Sequence, residues 1–237
     1  MQSATYQSRR DKLTEYFDRT AAAAWSRLTS DAPVGSVRAT VRAGRDAMRS
    51  LLLDCLPGDL TGTRLLDAGC GTGALSIDAA SRGANVVAVD VSSTLVELAG
   101  SRTPAAVSER IDYRVGDMLA AGHGEVDYVV AMDSMIHYET SDIVRMVASL
   151  APRARRGIAF TVAPRTAALT VMHAVGRMIP YQEHRAPAIV PVSEKHMRQA
   201  LADAPELKEW SLERCEKISS GFYKSQAFFI VRQQSVE

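Results

Sequence analysis

The stretch Leu65-Leu-Asp67-Ala-Gly69-Cys-Gly71-Thr-Gly73 (LLDAGCGTG, 65–73) decides the fold. The run RLLDA (64–68) reads as a strand and Ala74–Ser81 as a helix, so three alternate glycines lie at a strand-to-helix turn. Glycine lets a ligand approach the backbone closely, and the first turn of the helix offers N–H groups without internal partners. Gly69, Gly71 and Ala74 also satisfy the loose dinucleotide pattern, so the loop alone admits two cofactor classes. Asp67, just before the loop, separates them. A carboxylate there repels a pyrophosphate but suits the ammonium of a methionine moiety. The GxGxG spacing at 69, 71 and 73 points the same way, to S-adenosylmethionine.

Outward from the loop, strands alternate with helices. NVVAVD (85–90), IDYRV (111–115), VDYVVAM (126–132) and GIAFTV (157–162) are short, apolar and β-rich, and Thr94–Ser101 is helical. Near-continuous apolar strands with helices between them predict an α/β fold with a parallel sheet covered on both faces. Leu207–Ile218 and Phe222–Arg232, split by Ser219-Ser-Gly, then predict a closing antiparallel hairpin, which a pure dinucleotide fold lacks. The expected architecture is therefore the Rossmann-like methyltransferase sheet, seven strands, mostly parallel.

Acidic residues fall at the ends of successive strands. Asp90 ends the second, where its carboxylate can accept from two ribose hydroxyls, with Val91 and Ser92 following it. After the third strand, Gly116-Asp117-Met118 offers an acceptor for an adenine amino group and a thioether for its ring. Met132, Asp133 and Ser134 follow the fourth, at the carboxyl edge where ligands of open α/β sheets collect. With Asp67, Ala68, Gly69, Cys70, Gly71 and Gly73, these form the expected cofactor site. Any one acid alone would be an ordinary cap or turn residue. Cys70 reads as a small loop residue and not a nucleophile.

Before residue 59 the pattern is helical. Residues 5–30 carry Leu13, Tyr16, Phe17, Trp25 and Leu28 at near-helical spacing. Ser36 suits the cap of a second helix to about Leu56, with Val37, Val41, Met48, Leu51 and Leu52 on its apolar side, ended by Pro57-Gly58. The chain thus divides into a helical lid or substrate segment (1–58) and a cofactor domain (59–237). Pro164, Pro180, Pro187 and Pro191 mark 163–192 as an irregular insertion with one helix at 166–178, followed by a helix at Ser193–Leu201.

Composition narrows the class. The 237 residues carry 28 basic and 27 acidic side chains, so no global field argues for nucleic acid. Cys55, Cys70 and Cys215 are too few and scattered for a disulfide framework or a zinc site, and fit a reducing cytoplasm. The polar N-terminus is no secretory signal. No run approaches the roughly 20 apolar residues of a spanning helix, which leaves room only for a peripheral membrane contact.

Chemistry beyond the cofactor has three candidate sources. His137 and Tyr138 follow the fourth strand, where the methyl sulfonium is expected. Tyr16, Phe17 and Trp25 are ordinary core residues or parts of a lid that excludes water. Arg42, Arg45, Arg165 and Arg185 are solvated surface charges or partners of an anionic substrate. Met172, Met178, Ile179 and Tyr181 of the insertion suit the wall of a wide apolar cleft as well as an ordinary core.

Five segments together, FDRTAAAAWSRL (17–28), VRATVRAGRDAMRSLLL (37–53), LLDAGCGTGALS (65–76), AMDSMIHYE (131–139) and FTVAPRTAAL (160–169), resemble the magnesium-protoporphyrin IX O-methyltransferases of bacteriochlorophyll synthesis. The resemblance covers about residues 10–230 and favours the purple-bacterial branch; VRAGR and DSMIHY are its specific parts. It implies methyl transfer from S-adenosylmethionine to the 13-propionate of Mg-protoporphyrin IX, giving the monomethyl ester and S-adenosylhomocysteine. It also implies Tyr16 and His137 as the residues linked to activity, and a handover from the porphyrin-binding subunit of magnesium chelatase. A cytoplasmic protein, peripheral to the photosynthetic membrane, fits the greasy pigment. A propionate is already ionised at neutral pH, so alignment matters more than a strong base. Open beside this stand a methyltransferase for another small carboxylate or hydroxyl, a nicotinamide oxidoreductase, against which Asp67 and the hairpin argue, and a non-catalytic cofactor-binding protein of a pigment-synthesis complex.

Overall fold

The computed structural model describes residues 4–21, 29, 35–165 and 188–233. Helix α1 (Ala4–Tyr16) runs into a π-helical turn (Phe17–Ala21), and α2 spans Ser36–Leu53. The alternating part follows: β1 (Arg64–Ala68), α3 (Ala74–Ser81), β2 (Asn85–Asp90), α4 (Ser93–Arg102), a single turn α5 (Ala105–Ser108), β3 (Ile111–Val115), β4 (Val126–Ala131), α6 (Thr140–Leu150) and β5 (Ala154–Pro164). The short β6 (Pro191–Val192), α7 (Glu194–Ala202), β7 (Trp210–Ser220) and β8 (Tyr223–Arg232) complete it.

The strands order as β3-β2-β1-β4-β5-β8-β7, with β6 beside the end of β5. β1 to β5 are parallel; β8 pairs antiparallel with β5 and with β7. This is the α/β methyltransferase sheet with its closing hairpin. Successive strands are added to one side of β1 up to β3 and to its other side from β4 on, so the carboxyl ends of β1 and β4 open a crevice at the topological switch point. β1 is central, and Leu65 and Leu66 are fully buried, which explains its apolar run.

Each face of the sheet has its own core. One gathers Tyr6 and Leu13 of α1, Ile143, Met146 and Val147 of α6, and Met197 of α7 against Leu66, Val129 and Phe160. The other gathers Met48, Leu51, Leu52 and Leu53 of α2 and Leu75 and Ala79 of α3 against Leu65, Val130 and Phe229. The segment before residue 59 therefore shares both cores with the sheet.

Several boundaries depart from expectation. The first helix narrows to 4–16, because the π-helical turn sends Asp18 to α4, where its carboxylate accepts from Ser92 Oγ (2.6 Å) and Thr94 N (3.4 Å). Residues 22–28, with Trp25, lie outside the described residues. Ser36 is the first residue of α2 and not its cap: Gly35 holds the cap position, without a side-chain bond. Val37 is exposed, and the buried positions of α2 begin at Gly44. β4 stops at Ala131, leaving Met132 in the loop. β5 runs from 154 to 164, so Pro164 belongs to the sheet, paired with Val192 of β6. The helix expected at 166–178 lies outside the described residues.

Candidate active site

At the carboxyl end of the parallel strands the glycine loop, the β4–α6 loop, α1 and α2 enclose a cavity of about 280 Å³. Its floor is the β1 turn. Gly69 and Cys70 N–H both donate to Val89 O (2.8 and 3.0 Å), which ties the loop to β2. Asp67, Gly69, Cys70 and Gly71 line the cavity, joined by Thr72, which sequence reasoning missed. Ala68 and Gly73 do not line it. Ala68 O accepts from Ser134 Oγ (2.7 Å), holding the β4 loop against β1. Gly73 adopts φ +82° as the cap of α3, and a Cβ there would meet the Tyr113 hydroxyl at 2.5 Å. The third glycine of GxGxG thus serves helix packing on the side away from the cavity.

Asp67 is buried and accepts from Ser76 Oγ at 2.6 Å. Burial pushes its carboxyl up to about 7, helped by the nearby Asp90 charge and opposed by the Ser76 bond. No ion pair to it exists among the described residues, so an acidic group waits where an ammonium would be welcome. Asp90 accepts from Gly71 N (2.9 Å) and Ser92 N (3.0 Å), one bond to each oxygen. A carboxylate has about four acceptor sites, so acceptor capacity remains for ribose hydroxyls. Burial raises the Asp90 carboxyl while these N–H bonds lower it. Val91 also lines the cavity, whereas Ser92 caps α4, accepting from Leu95 N (3.2 Å). Cys70 is buried and its thiol is driven upward, which suits an inert loop residue.

Gly116 and Met118 line the cavity, but Asp117 does not. Its carboxylate accepts from Tyr6 Oη (2.6 Å), Arg10 Nη1 (3.0 Å) and Leu119 N (2.8 Å), so here it docks α1 instead of facing an adenine. Tyr6 in turn stacks on Tyr138 with centroids 5.4 Å apart. Burial raises both phenols, so they remain donors.

Met132, Asp133, Ser134, His137 and Tyr138 all reach the cavity. His137 Nδ1 lies 3.3 Å from Ala188 O, and its own carbonyl accepts from Arg9. Tyr16 stays out; Phe17, against whose ring it packs edge-on at 5.3 Å, lines the wall. Tyr6, Arg10, Leu13 and Phe17 recur every three or four residues, so one face of the helix supplies the wall and Tyr16 lies off it. That periodicity was the signal available in the sequence for Tyr6, Arg10 and Phe17. Arg42 and Arg45 of α2 line the cavity, together with Asp46 and Arg49. Arg45, expected to meet substrate, has its guanidinium on Asp133 at 2.6 Å, and Arg49 is held by Asp78 (2.6 Å) and Asp46 (2.8 Å). Arg165 is exposed beyond β5 and its N–H donates to Val192 O. Met172 and Arg185, like Met178, Ile179 and Tyr181, lie outside the described residues.

Comparison with known proteins follows this geometry closely. Residues 131–232 match the family described as magnesium-protoporphyrin IX methyltransferase C-terminus, and residues 65–157 match a methyltransferase domain. The chain is 43% identical over 222 residues to the magnesium-protoporphyrin O-methyltransferase of Rhodobacter capsulatus, covering 93% of this chain and 96% of that one. It is 31% identical over 224 residues to the enzyme of the same name from Synechocystis, covering 93% and 95%. A crystal structure of the Synechocystis magnesium protoporphyrin IX methyltransferase with bound SAH superposes with a TM-score of 0.77 at 30% identity, over 93% of this chain and 98% of that one.

Proposed function

The chain belongs to the magnesium-protoporphyrin O-methyltransferase family, and from that premise we propose that it transfers the methyl group of S-adenosylmethionine to the 13-propionate of Mg-protoporphyrin IX. The observation that carries this reading is that one cavity is lined by Asp67, Asp90 and His137 together. Asp67 would take the methionine ammonium, Asp90 the ribose hydroxyls, and Gly116 and Met118 would flank the adenine. When bound, the cofactor supplies an electrophilic methyl group on a sulfonium. An ionised propionate oxygen forms the new C–O bond as the C–S bond breaks, leaving the ester and S-adenosylhomocysteine, with no proton to remove.

What the chain contributes is placement. His137 would donate a hydrogen bond that orients the attacking oxygen without quenching it. Tyr6, Leu13 and Phe17 would strip water from the reacting groups. Arg42 would pair with the propionate that does not react, since a tight arginine at the reacting one would blunt its nucleophilicity. Residues 1–58 act in this reading as the lid and substrate wall of the cofactor domain. The reading extends to delivery of the pigment by the porphyrin-binding subunit of magnesium chelatase at a membrane surface. Among the described residues no helix is long and apolar enough to cross a membrane.

Mixing the protein with Mg-protoporphyrin and S-adenosylmethionine is expected to yield a product heavier by about 14 mass units, one added CH₂ as carboxylate becomes ester. No product by mass spectrometry, with cofactor binding confirmed by calorimetry, would overturn the substrate. In the same assay His137→Ala is expected to lower turnover by about 10²-fold and leave cofactor affinity alone.

A further inference from the structure

Asp133 is the one described residue other than glycine with a positive φ, +53°. It follows Met132 in the loop after β4 and precedes the turn that carries Ser134 and His137 into the cavity. Left-handed backbone at an aspartate costs free energy and persists only where surroundings over-determine it. The surroundings do so here. The side chain is only 6% exposed, and its carboxylate accepts from Arg45 Nη1 at 2.6 Å, Tyr223 Oη at 3.0 Å, and Ser225 Oγ and Thr161 Oγ1 at 3.4 Å each. Asp133 N–H donates back to Thr161 Oγ1 at 2.7 Å. The partners come from α2, β5 and β8, separated from Asp133 by 28 to 92 positions.

Local sequence on α2 serves this meeting. A Cβ on Gly44 would lie 2.5 Å from Cδ1 of Tyr223, so only glycine lets the Tyr223 ring lie against the helix and reach Asp133. The adjacent residue is Arg45. VRAGR thus brings a glycine that seats the tyrosine and an arginine that pairs with the acid.

We propose that Arg45 and Asp133 act as one positioning unit: they fix the β4–α6 loop that carries His137, and Arg45 serves the protein instead of the substrate. The pairing also neutralises the Arg45 charge where it meets the cavity. An ionised carboxylate can then approach the methyl donor without being held by a strong cation at Arg45. This inference rests on the proposed activity for its substrate, while the pairing stands on geometry.

The test is a double-mutant cycle of Arg45→Met, Asp133→Asn and the combination, with Tyr223→Phe as a milder variant. Asparagine tolerates the left-handed region, so D133N removes the charge without forcing the backbone. Each single charge variant is expected to lower kcat about 10- to 100-fold, with the porphyrin KM within about twofold and SAH affinity within about threefold. The double variant should fall no further than the worse single, because residues that act as a unit are not additive. Tyr223→Phe should lose about three- to tenfold in kcat by the same logic. Hydrogen exchange over residues 132–138 should accelerate in both single charge variants and no more in the double. A rise in porphyrin KM at unchanged kcat for R45M would make Arg45 a substrate clamp and overturn the proposal. So would losses that multiply, or unchanged exchange. Should the wild type form no porphyrin ester, the activity falls by itself, and the exchange cycle still decides the pairing.

Discussion

The two sides of the cavity are built by different means. On the β1–β2 side the acids are satisfied by groups near in sequence: Asp67 takes Ser76 Oγ 9 positions away, and Asp90 takes the N–H groups of Gly71 and Ser92, 19 and 2 positions away. On the α1–α2 side acids are satisfied by distant side chains. Asp117 takes Tyr6 and Arg10 across 111 and 107 positions, and Asp133 takes Arg45 across 88. The first side is a preformed cradle whose geometry the backbone dictates. The second is a closure, assembled only when the remote helices dock, and in the proposed reading it would determine which substrate is admitted. Changes on the first side should cost cofactor affinity most, whereas changes on the second should touch it only weakly and cost turnover or closure.

The largest effect expected from that contrast belongs to Asp90. Asp90→Ala removes the ribose acceptor and leaves the N–H groups of Gly71 and Ser92 without their partner, at about 1–3 kcal/mol for each buried group. SAH affinity measured by calorimetry should fall by about 100-fold, and the melting temperature should drop with it. A variant that binds normally would mean that the cradle is held by the glycine loop alone.

Asp67 gives a pH signature of the same side. Burial lifts its carboxyl from 3.8 to about 7. In the empty protein the group holds its proton below that value, and an ammonium ligand favours the ionised form. SAH affinity should therefore be flat just above pH 7 and weaken by up to about tenfold for each unit below it. The sign for stability is opposite. Because the folded state binds the proton more tightly than the unfolded chain, this residue's contribution to the empty protein's stability declines as pH rises from about 4 to about 7. Asp67→Asn should abolish both dependences. A pH-independent affinity in the wild type would remove Asp67 from the ammonium site.

How much of this was legible in the sequence divides along the same line. β1, α3 and β2 fall where the alternating apolar runs place them, because parallel strands buried on both faces leave a continuous hydrophobic signal, and the edge strand β3 also stands at 111–115 although only its Ile111 is buried. The acids at strand ends follow from the same register. Asp117 also stands at a strand end, yet its bonds run to α1, and nothing near residue 117 announces Tyr6. Arg45 reads as a surface charge until Asp133 is seen beneath it. Gly73 reads as a ligand glycine until Tyr113 is found filling the space beside it. Local periodicity reports local structure, and pairings across a hundred residues leave no comparable trace.

The smallest expected effect concerns the N-terminal helix, where the two readings can be separated by neighbouring residues. The wall face is Tyr6, Arg10, Leu13 and Phe17, and Tyr16 lies off it, edge-on to Phe17. Phe17→Ala removes apolar surface that shields the cavity, which for a half-buried ring is worth about 1 kcal/mol, or roughly a fivefold weakening of SAH binding. Tyr16→Phe keeps the ring that packs on Phe17 and should change affinity by less than about twofold. Because both residues sit on one turn, a general loosening of α1 would weaken binding in both variants alike. The asymmetry is therefore the informative quantity. If Tyr16→Phe is instead the costlier change, its hydroxyl makes a bond that forms only when the cofactor is bound, and the helix must rotate on closing to bring Tyr16 onto the wall.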